Sequence, residues 1–135
     1  MSSSSKLPEP LIFFLDRSLG NKIIATALRQ AGVIVEIHDD HFSIDAKDED
    51  WLPFVGKRGW IVLTKDRRIR YRTLEKLAVI KAKVAVFTLT AGDLQGAEMA
   101  HIFIKAIPVI RRFIAKNKPP FIARIARDGS ISLVV

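Results

Sequence analysis

The sequence contains no cysteine. This absence excludes disulfide bonds, thiolate nucleophiles and sulfur metal ligands, so any metal site must use carboxylate oxygen or imidazole nitrogen. Hard cations such as Mg²⁺ and Mn²⁺ are therefore the expected cofactors of a metal site in this chain. No apolar run approaches the roughly 20 residues that a membrane-spanning helix needs, which predicts a soluble protein with no membrane partner.

Three common catalytic motifs are also missing. The sequence has no glycine-rich phosphate loop, no nucleophile elbow and no pair of histidines at i, i+4 spacing, which excludes the commonest NTPases, esterases and zinc peptidases. The first ten residues are polar and lack the apolar centre of a secretory signal, so we expect residues 1–10 to be a flexible segment of a cytoplasmic protein. Residues 11–135 are too few for two ordinary domains and predict a single one.

The charge balance is strongly basic. A net charge of +8 and a pI of about 10.1 indicate a polyanionic partner, because clustered Lys and Arg residues attract phosphate backbones. The acidic residues are concentrated between positions 39 and 50, whereas basic residues crowd positions 65–72 and 111–127. An acidic pocket with basic flanks suits the cleavage of a phosphodiester chain.

Short apolar runs alternate with helical patterns along the chain. The runs at residues 11–15, 60–63 and 84–87 are continuous, as in strands that helices cover on both faces, and residues 33–37 are β-branched and extended. We therefore predict an α/β fold, in which a small open parallel sheet of strand order 2-1-3-4 has helices on both faces. Asp128-Gly129 lies between two further strand patterns and predicts a β-hairpin at the C-terminal end.

Capping signals predict where the helices begin and end. The first helix should begin at Ser18 and end at Gly32. A second helix should begin at Asp48 and break at residues 56–59, and Asp93 should cap a long helix.

Two aspartates follow predicted strands directly, Asp16 after the first strand and Asp66 after the third. The carboxyl ends of parallel strands face the crevice in which α/β proteins bind ligands, and the predicted strand order makes these two strands neighbours. Asp48 begins a helix whose inward side carries Trp51, so the side chain of Asp48 should lean inward. Asp50 lies at a different angle around the helix, so its side chain should point outward or sideways. Three carboxylates in one crevice repel one another, and a bound divalent cation relieves that repulsion. Alternatively, each aspartate caps the helix that follows it.

Other polar residues near these strand ends have less specific patterns. Thr64 either hydrogen-bonds Asp66 or simply favours a strand end. His38 and His41 are either metal ligands or loop-packing residues. A phosphoacceptor role for Asp66, as in receiver-type domains, is a minor alternative because the later strands offer no terminal lysine. Basic side chains near the acids either hold phosphates or form a solvated face, and they are Arg17, Lys65, Arg67, Arg68 and Arg70.

Four segments have an order and spacing that resemble a known family. They are Phe14-Leu15-Asp16 with Ser18-Leu19-Gly20, His38-Asp39-Asp40-His41-Phe42, Asp48-Glu49-Asp50-Trp51-Leu52, and residues 59–66. This arrangement resembles the PIN-like domains, small metal-dependent ribonucleases that often act as toxins of toxin–antitoxin pairs. The long helix and the hairpin that begins at Pro120-Phe121 extend the resemblance to most of the chain.

The resemblance implies an endoribonuclease that hydrolyses RNA phosphodiester bonds with Mg²⁺ or Mn²⁺. It gives the catalytic and metal-binding roles to Asp16, Asp48 and Asp66. The chain lacks the fourth acid that larger PIN domains carry after the first helix, and Asp40 and Asp50 are the candidate substitutes. The alternative function is a non-catalytic PIN-like module that binds RNA or takes part in regulatory protein interactions.

The resemblance also implies an antitoxin as a protein partner, and a homodimer is a further candidate. The long helix carries more apolar residues than one buried face requires, among them Ile102, Ile104 and Val109. This surplus indicates either a surface for such a partner or a helix that is buried on several sides.

Overall fold

A computed structural model describes residues 10–134, without the side chain of Arg70. In this part of the chain the strands of one sheet are β1 (Ile12–Leu15), β2 (Ile34–Ile37), β3 (Ile61–Thr64), β4 (Ala85–Leu89), β5 (Phe121–Ile125) and β6 (Ile131–Leu133). The helices are α1 (Ile23–Gln30), α2 (Asp48–Arg58), α3 (Arg68–Tyr71), α4 (Thr73–Ala82) and α5 (Gly96–Lys116). Residues 1–9 of the predicted flexible segment lie outside the described residues, as does Val135 of the predicted domain.

The strand order is β2-β1-β3-β4-β5-β6. Strands β1 to β5 are parallel and β6 is antiparallel to β5, which confirms the predicted order 2-1-3-4 and the C-terminal hairpin. The chain leaves β1 for β2 on one side and returns to β3 on the other, so the order reverses at the β1–β3 pair. Leu15 lies opposite Leu63 in that pair. Asp16 and Thr64 therefore end these two strands side by side, at the edge where such folds bind ligands.

Apolar side chains cover both faces of the sheet, because successive residues of a strand point to opposite faces. Phe13 of β1 belongs to a buried cluster formed with α1 and α5. Phe14 belongs to a second cluster formed with α2 and α4. Trp51 is buried in the second cluster, and Trp60 is partly buried and packs against it. The fold is the expected three-layer α/β/α arrangement.

Helix α5 packs against α1 and the sheet, and it uses most of its apolar side chains within the chain. Ile102 is buried, and Ile104 and Val109 are partly buried. This burial favours the interpretation that α5 is covered on several sides over the interpretation that it is a partner surface. Although α5 has 21 residues, neither it nor any other helix within residues 10–134 is long and apolar enough to span a bilayer.

The first helix begins later than predicted. Ser18 lies in a 3₁₀ turn (Arg17–Leu19), and α1 begins at Ile23. The Asp16 side chain accepts a hydrogen bond from the backbone N of Ser18, and this local turn competes with helix formation. Gly20 follows with a φ of 74°, a conformation that glycine adopts freely, so the chain changes direction before the helix starts.

Of the two other predicted helix boundaries, the first is confirmed and the second is wrong. α2 begins at Asp48 and ends at Arg58, within the predicted break at residues 56–59, and Gly59 follows with a φ of 67°. Asp93 does not cap α5, because that helix begins further along the chain. There the Glu98 carboxylate accepts a hydrogen bond from the backbone N of Gln95 at 3.0 Å, which is half of a capping box.

Gly56 lies where α2 packs on α4, and replacing it with alanine is expected to destabilise the fold. A Cβ atom there would overlap the backbone carbonyl oxygen of Ala82. We expect the free energy of unfolding to fall by about 3 kcal/mol, at the upper end of overpacking penalties, as measured by urea denaturation. Gly92→Ala is the control, because a Cβ atom at Gly92 meets no atom within 4 Å. Equal losses in the two variants would contradict the close approach of α2 and α4.

Candidate active site

Asp16 is a buried carboxylate that hydroxyl groups hold at the end of β1. The residue is 5% exposed. The Oδ2 atom accepts a hydrogen bond from Thr64 Oγ1 at 2.6 Å, and Oδ1 accepts bonds from the backbone N of Ser18 at 3.0 Å and from the Ser18 hydroxyl. Asp16 therefore has hydrogen-bond partners on both carboxylate oxygens, and these partners are uncharged.

Burial in this environment raises the pKa of Asp16 from its ordinary value of 3.8 to about 6. The hydrogen bonds from Ser18 and Thr64 lower the pKa in part, and the negative charge of Asp66 raises it further. Asp16 is therefore mostly ionised at neutral pH, although the fold disfavours its charged form. A cation next to Asp16 would relieve that unfavourable free energy.

Asp66 lies two residues beyond β3, and Thr64 connects it to Asp16. The backbone N of Asp66 donates to Thr64 Oγ1 at 2.9 Å. The carboxylate of Asp66 is bound to Arg68, whose Nη2 donates to Oδ2 at 2.6 Å and whose Nε lies 3.0 and 3.1 Å from the two oxygens. Although burial raises the pKa of Asp66, the hydrogen bonds and charge of Arg68 outweigh it and hold that pKa below its usual value. Asp66 is thus a stable anion.

Asp48 begins α2 and leans inward, as its helical phase predicts. Trp51 Nε1 donates to Asp48 Oδ1 at 3.2 Å. Burial and the negative charge of Asp66 raise the pKa of Asp48, while Arg68 and the Trp51 hydrogen bond lower it in part. The capping alternative is wrong for Asp48, because the residue that precedes α2 is Lys47 and its backbone N donates to Asp50 Oδ2 at 2.9 Å.

The three carboxylates face one pocket of about 270 Å³ at the carboxyl edge of the sheet. Its lining residues are Asp16, Arg17, Ser18, His38, Ala46, Asp48, Trp51, Asp66 and Arg68. We call it the acid pocket. A neighbouring pocket of about 420 Å³ shares Arg17, Ala46, Asp48 and Arg68 with it, so two arginines stand between the two pockets.

The other predicted site residues lie outside the lining of the acid pocket. Asp40 is exposed, and Asp50 is exposed at the start of α2. Lys65 and Arg67 are exposed close to Asp66 in the chain. The side chain of Arg70, which was predicted to contact nucleic acid, lies outside the described residues. The structure thus brings together Asp16, Asp48 and Asp66 with two of the five predicted basic residues.

The donor set of the acid pocket fits a hard divalent cation. It offers carboxylate oxygens, and the charge of Asp66 raises the pKa of both Asp16 and Asp48, as expected for anions that repel one another. Within residues 10–134, no three Asp, Glu or His side chains lie close enough to hold one ion together in the arrangement described. In this arrangement, Arg68 places a positive charge next to the carboxylate of Asp66.

His38 packs against an aromatic cluster and also lines the acid pocket. His38 is 2% exposed and lies against the rings of Phe14, Phe42 and Trp51. Burial, together with the charge of Arg17, lowers the pKa of His38, so the ring is neutral at neutral pH. It reaches the lining of the acid pocket as part of this aromatic wall.

His41 makes a different contact. Its Nε2 atom lies 2.7 Å from Glu36 Oε1, and its ring packs against Phe54 and Trp60. It is absent from the lining of the acid pocket. His41 therefore favours the loop-packing interpretation over the metal-ligand one. Both interpretations stay open for His38, because it lines the acid pocket and its buried Nδ1 has no hydrogen-bond partner among the described residues.

Ser18 is a site residue to which the sequence interpretation gave no role in the acid pocket. Its hydroxyl contacts Asp16, lies 3.1 Å from Thr64 Oγ1 and accepts a hydrogen bond from the backbone N of Lys65 at 3.0 Å. It thus links the ends of β1 and β3. The spacing Asp-x-Ser is typical of a side-chain turn and is the signal that could have indicated this contact.

Replacing Thr64 with valine should disrupt this network at nearly constant volume. The hydroxyl both donates to Asp16 and accepts from the backbone N of Asp66, so its loss leaves buried polar groups without partners. We expect the free energy of unfolding to fall by about 2 kcal/mol at neutral pH, as measured by urea denaturation.

Thr88→Val is the matched control for this change. Thr88 lies opposite Thr64 on β4 and is equally buried, and among the described residues its Oγ1 has no hydrogen-bond partner. We expect the control to be neutral or slightly stabilising. A Thr64 variant as stable as the Thr88 variant would contradict the assigned network.

The fold and the acid pocket define an open parallel α/β domain whose carboxylates gather where the strand order reverses. A family model described as a PIN-like domain matches residues 11–91. The chain therefore belongs to the PIN-like domain family, which confirms the resemblance seen in the sequence. The matched region contains β1 to β4 and all three carboxylates of the acid pocket.

A curated protein and the solved structures give two further comparisons. The chain is similar to VapC45 of Mycobacterium tuberculosis, a protein named as a candidate ribonuclease. The two are 28% identical over 113 residues, which cover 81% of each chain. No solved structure matches the chain.

Proposed function

We propose that this protein is a metal-dependent endoribonuclease that hydrolyses phosphodiester bonds of RNA. The observation that carries the proposal is the meeting of Asp16, Asp48 and Asp66 in one pocket of a PIN-like domain. The similarity to VapC45, which is named as a candidate ribonuclease, supports RNA as the substrate.

Asp16, Asp48 and Asp66 are the proposed holders of Mg²⁺ or Mn²⁺, as one ion or two. Such a cation makes a water molecule more acidic and stabilises the charge that develops on the leaving oxygen. Asp40 and Asp50 are left out of the proposed set, because neither lines the acid pocket and Asp50 is bound to the start of α2. Ser18 and Thr64 orient Asp16 through their hydrogen bonds.

Basic side chains around the acid pocket are the proposed contacts to the RNA backbone. Arg17 and Arg68 line the pocket itself. Lys65 and Arg67 are exposed beside it, and we include Arg70 from the sequence pattern. Because such contacts release counterions, RNA affinity should fall steeply with salt concentration. The net charge of +8 favours the same polyanionic substrate.

We also propose that the protein is the toxin of a toxin–antitoxin pair that acts in the cytoplasm. A protein antitoxin and a second copy of the chain are the proposed partners. Leu74, Leu77 and Ile80 of α4 are large apolar side chains exposed to solvent, and this side of α4 is the surface that we assign to a protein partner. We assign the partner surface to α4 and not to α5, because the apolar residues of α5 are largely buried.

Cleavage of labelled single-stranded RNA by the purified protein tests the proposed function. We expect cleavage with MnCl₂, no cleavage with EDTA, and a loss of at least about 100-fold in Asp66→Asn, because metal catalysis contributes several kcal/mol. Asp93→Asn makes the same chemical change at an exposed position and should cleave like the wild type. Undiminished cleavage by Asp66→Asn would contradict the proposal. RNA binding without metal-dependent cleavage would favour the non-catalytic module.

A further inference from the structure

We infer that Arg68 competes with the divalent cation for Asp66 and thereby sets the metal affinity of the acid pocket. The inference rests on the proposed metal-binding role of Asp66. Both side chains line the pocket, and they form an ion pair with 2.6 Å between Arg68 Nη2 and Asp66 Oδ2.

The contact uses both oxygens of the carboxylate. Oδ1 of Asp66 accepts from the backbone N and from Nε of Arg68, and Oδ2 accepts from Nε and Nη2. This bidentate fork of hydrogen bonds occupies the lone pairs of the Asp66 oxygens that would face a metal ion. A divalent cation at the same oxygens would also lie next to the positive guanidinium group, so the ion and the fork exclude each other.

Arg68 also has a way to leave. Its side chain is 51% exposed, whereas that of Asp66 is 14% exposed. It stands between the acid pocket and the neighbouring pocket, where Glu75 is a lining residue. The guanidinium group can therefore turn towards Glu75 or towards a phosphate of bound RNA while Asp66 stays in place.

This competition explains why the three carboxylates of the acid pocket lie too far apart to hold one ion together in the arrangement described. Asp66 carries the negative charge that raises the pKa of both Asp16 and Asp48, yet its own oxygens are bound to Arg68. When Arg68 moves away, the oxygens of Asp66 become free. Asp66 is the carboxylate whose charge acts on both Asp16 and Asp48. A cation can then gather the three side chains.

Calorimetric titration of MnCl₂ into the wild type, Arg68→Gln, Arg68→Lys and Arg67→Gln at about pH 7.5 tests the inference. Arg67→Gln is the matched control, because it removes the same charge from an exposed neighbour. We expect Arg68→Gln to bind Mn²⁺ about fivefold more tightly than Arg67→Gln, the size expected for a partly exposed ion pair. Arg68→Lys should fall between them, because lysine keeps the charge without the fork.

Equal Mn²⁺ affinity in Arg68→Gln and Arg67→Gln would overturn the inference and leave the proposed metal site intact. Binding by Arg68→Gln alone, with none by the wild type, would support the inference strongly. Absence of binding in all four proteins would overturn the inference together with the proposed metal site. Arg68→Lys keeps the test decisive if Arg68→Gln fails to fold, since it should still bind more tightly than Arg67→Gln.

Discussion

Asp16→Asn is expected to abolish metal-dependent RNA cleavage and, at the same time, to make the metal-free protein more stable at neutral pH. The loss of cleavage should be at least about 100-fold, because a proposed metal ligand is removed and metal catalysis contributes several kcal/mol. The gain in stability follows from burial. Asparagine has nearly the same shape as aspartate and keeps an oxygen that can accept hydrogen bonds from Ser18, but it places no charge in the buried site.

The size of the gain follows from the pKa of Asp16. That pKa is raised from 3.8 to about 6 in the folded protein, so the folded state holds this proton more tightly than the unfolded state. The resulting stabilisation is complete below about pH 4 and is lost as the pH rises through 6. Between these two pH values the free energy of unfolding falls by about 1.4 kcal/mol for each pH unit. At pH 7 this effect has lowered the free energy of unfolding of the wild type by up to about 3 kcal/mol, and Asp16→Asn does not show this fall.

Urea denaturation of the metal-free proteins measures this difference. Asp16→Asn should be more stable than the wild type by about 1 to 3 kcal/mol at pH 7, and the difference should shrink towards zero near pH 4. Asp93→Asn should match the wild type at both pH values, because its side chain is exposed. A destabilised Asp16 variant at pH 7 would show that the hydrogen bonds of the carboxylate outweigh its burial.

Mn²⁺ affinity should fall about tenfold between pH 7.5 and pH 5. A proton and a cation compete for Asp16, and its pKa of about 6 places that competition in this range. Calorimetric titration at the two pH values measures the fall, and the rate of RNA cleavage should follow it. Equal affinity at both values would contradict either the raised pKa of Asp16 or its role as a ligand.

Thr64→Val is the matched variant for this pH dependence. The hydrogen bond from Thr64 lowers the pKa of Asp16, so its loss should move the fall in Mn²⁺ affinity to higher pH. Thr88→Val should leave the pH dependence unchanged, because Thr88 lies on β4 and makes no hydrogen bond to Asp16. An unchanged pH dependence in Thr64→Val would mean that Thr64 does not tune Asp16.

The central part of the fold could be predicted from the sequence because its local signals agree. The apolar runs are continuous where helices cover both faces of the sheet, and Asp128-Gly129 matches the observed turn between β5 and β6. The positions of Asp16 and Asp66 followed from topology alone, since parallel strands end at a common edge. The inward lean of Asp48 followed from helix periodicity.

The contacts of the acid pocket could not be predicted in the same way. Pairing of Asp66 with Arg68 depends on the side-chain conformation that α3 allows, and the sequence had shown Arg68 only as one member of a basic run. The position of Ser18 depends on β1 and β3 lying side by side, which brings residues distant in sequence together. The late start of α1 has the same origin, because Asp16 uses the backbone N of Ser18 for its own hydrogen bond.

The most direct test of the proposed metal site is calorimetric titration of MnCl₂ into the wild type and Asp66→Asn at about pH 7.5. We predict saturable binding by the wild type that disappears in the variant, because Asp66 is an ionised carboxylate in electrostatic contact with Asp16 and Asp48. Equal binding by both proteins would place the ion elsewhere. Absence of binding by the wild type and by Arg68→Gln would contradict a metal site in the acid pocket.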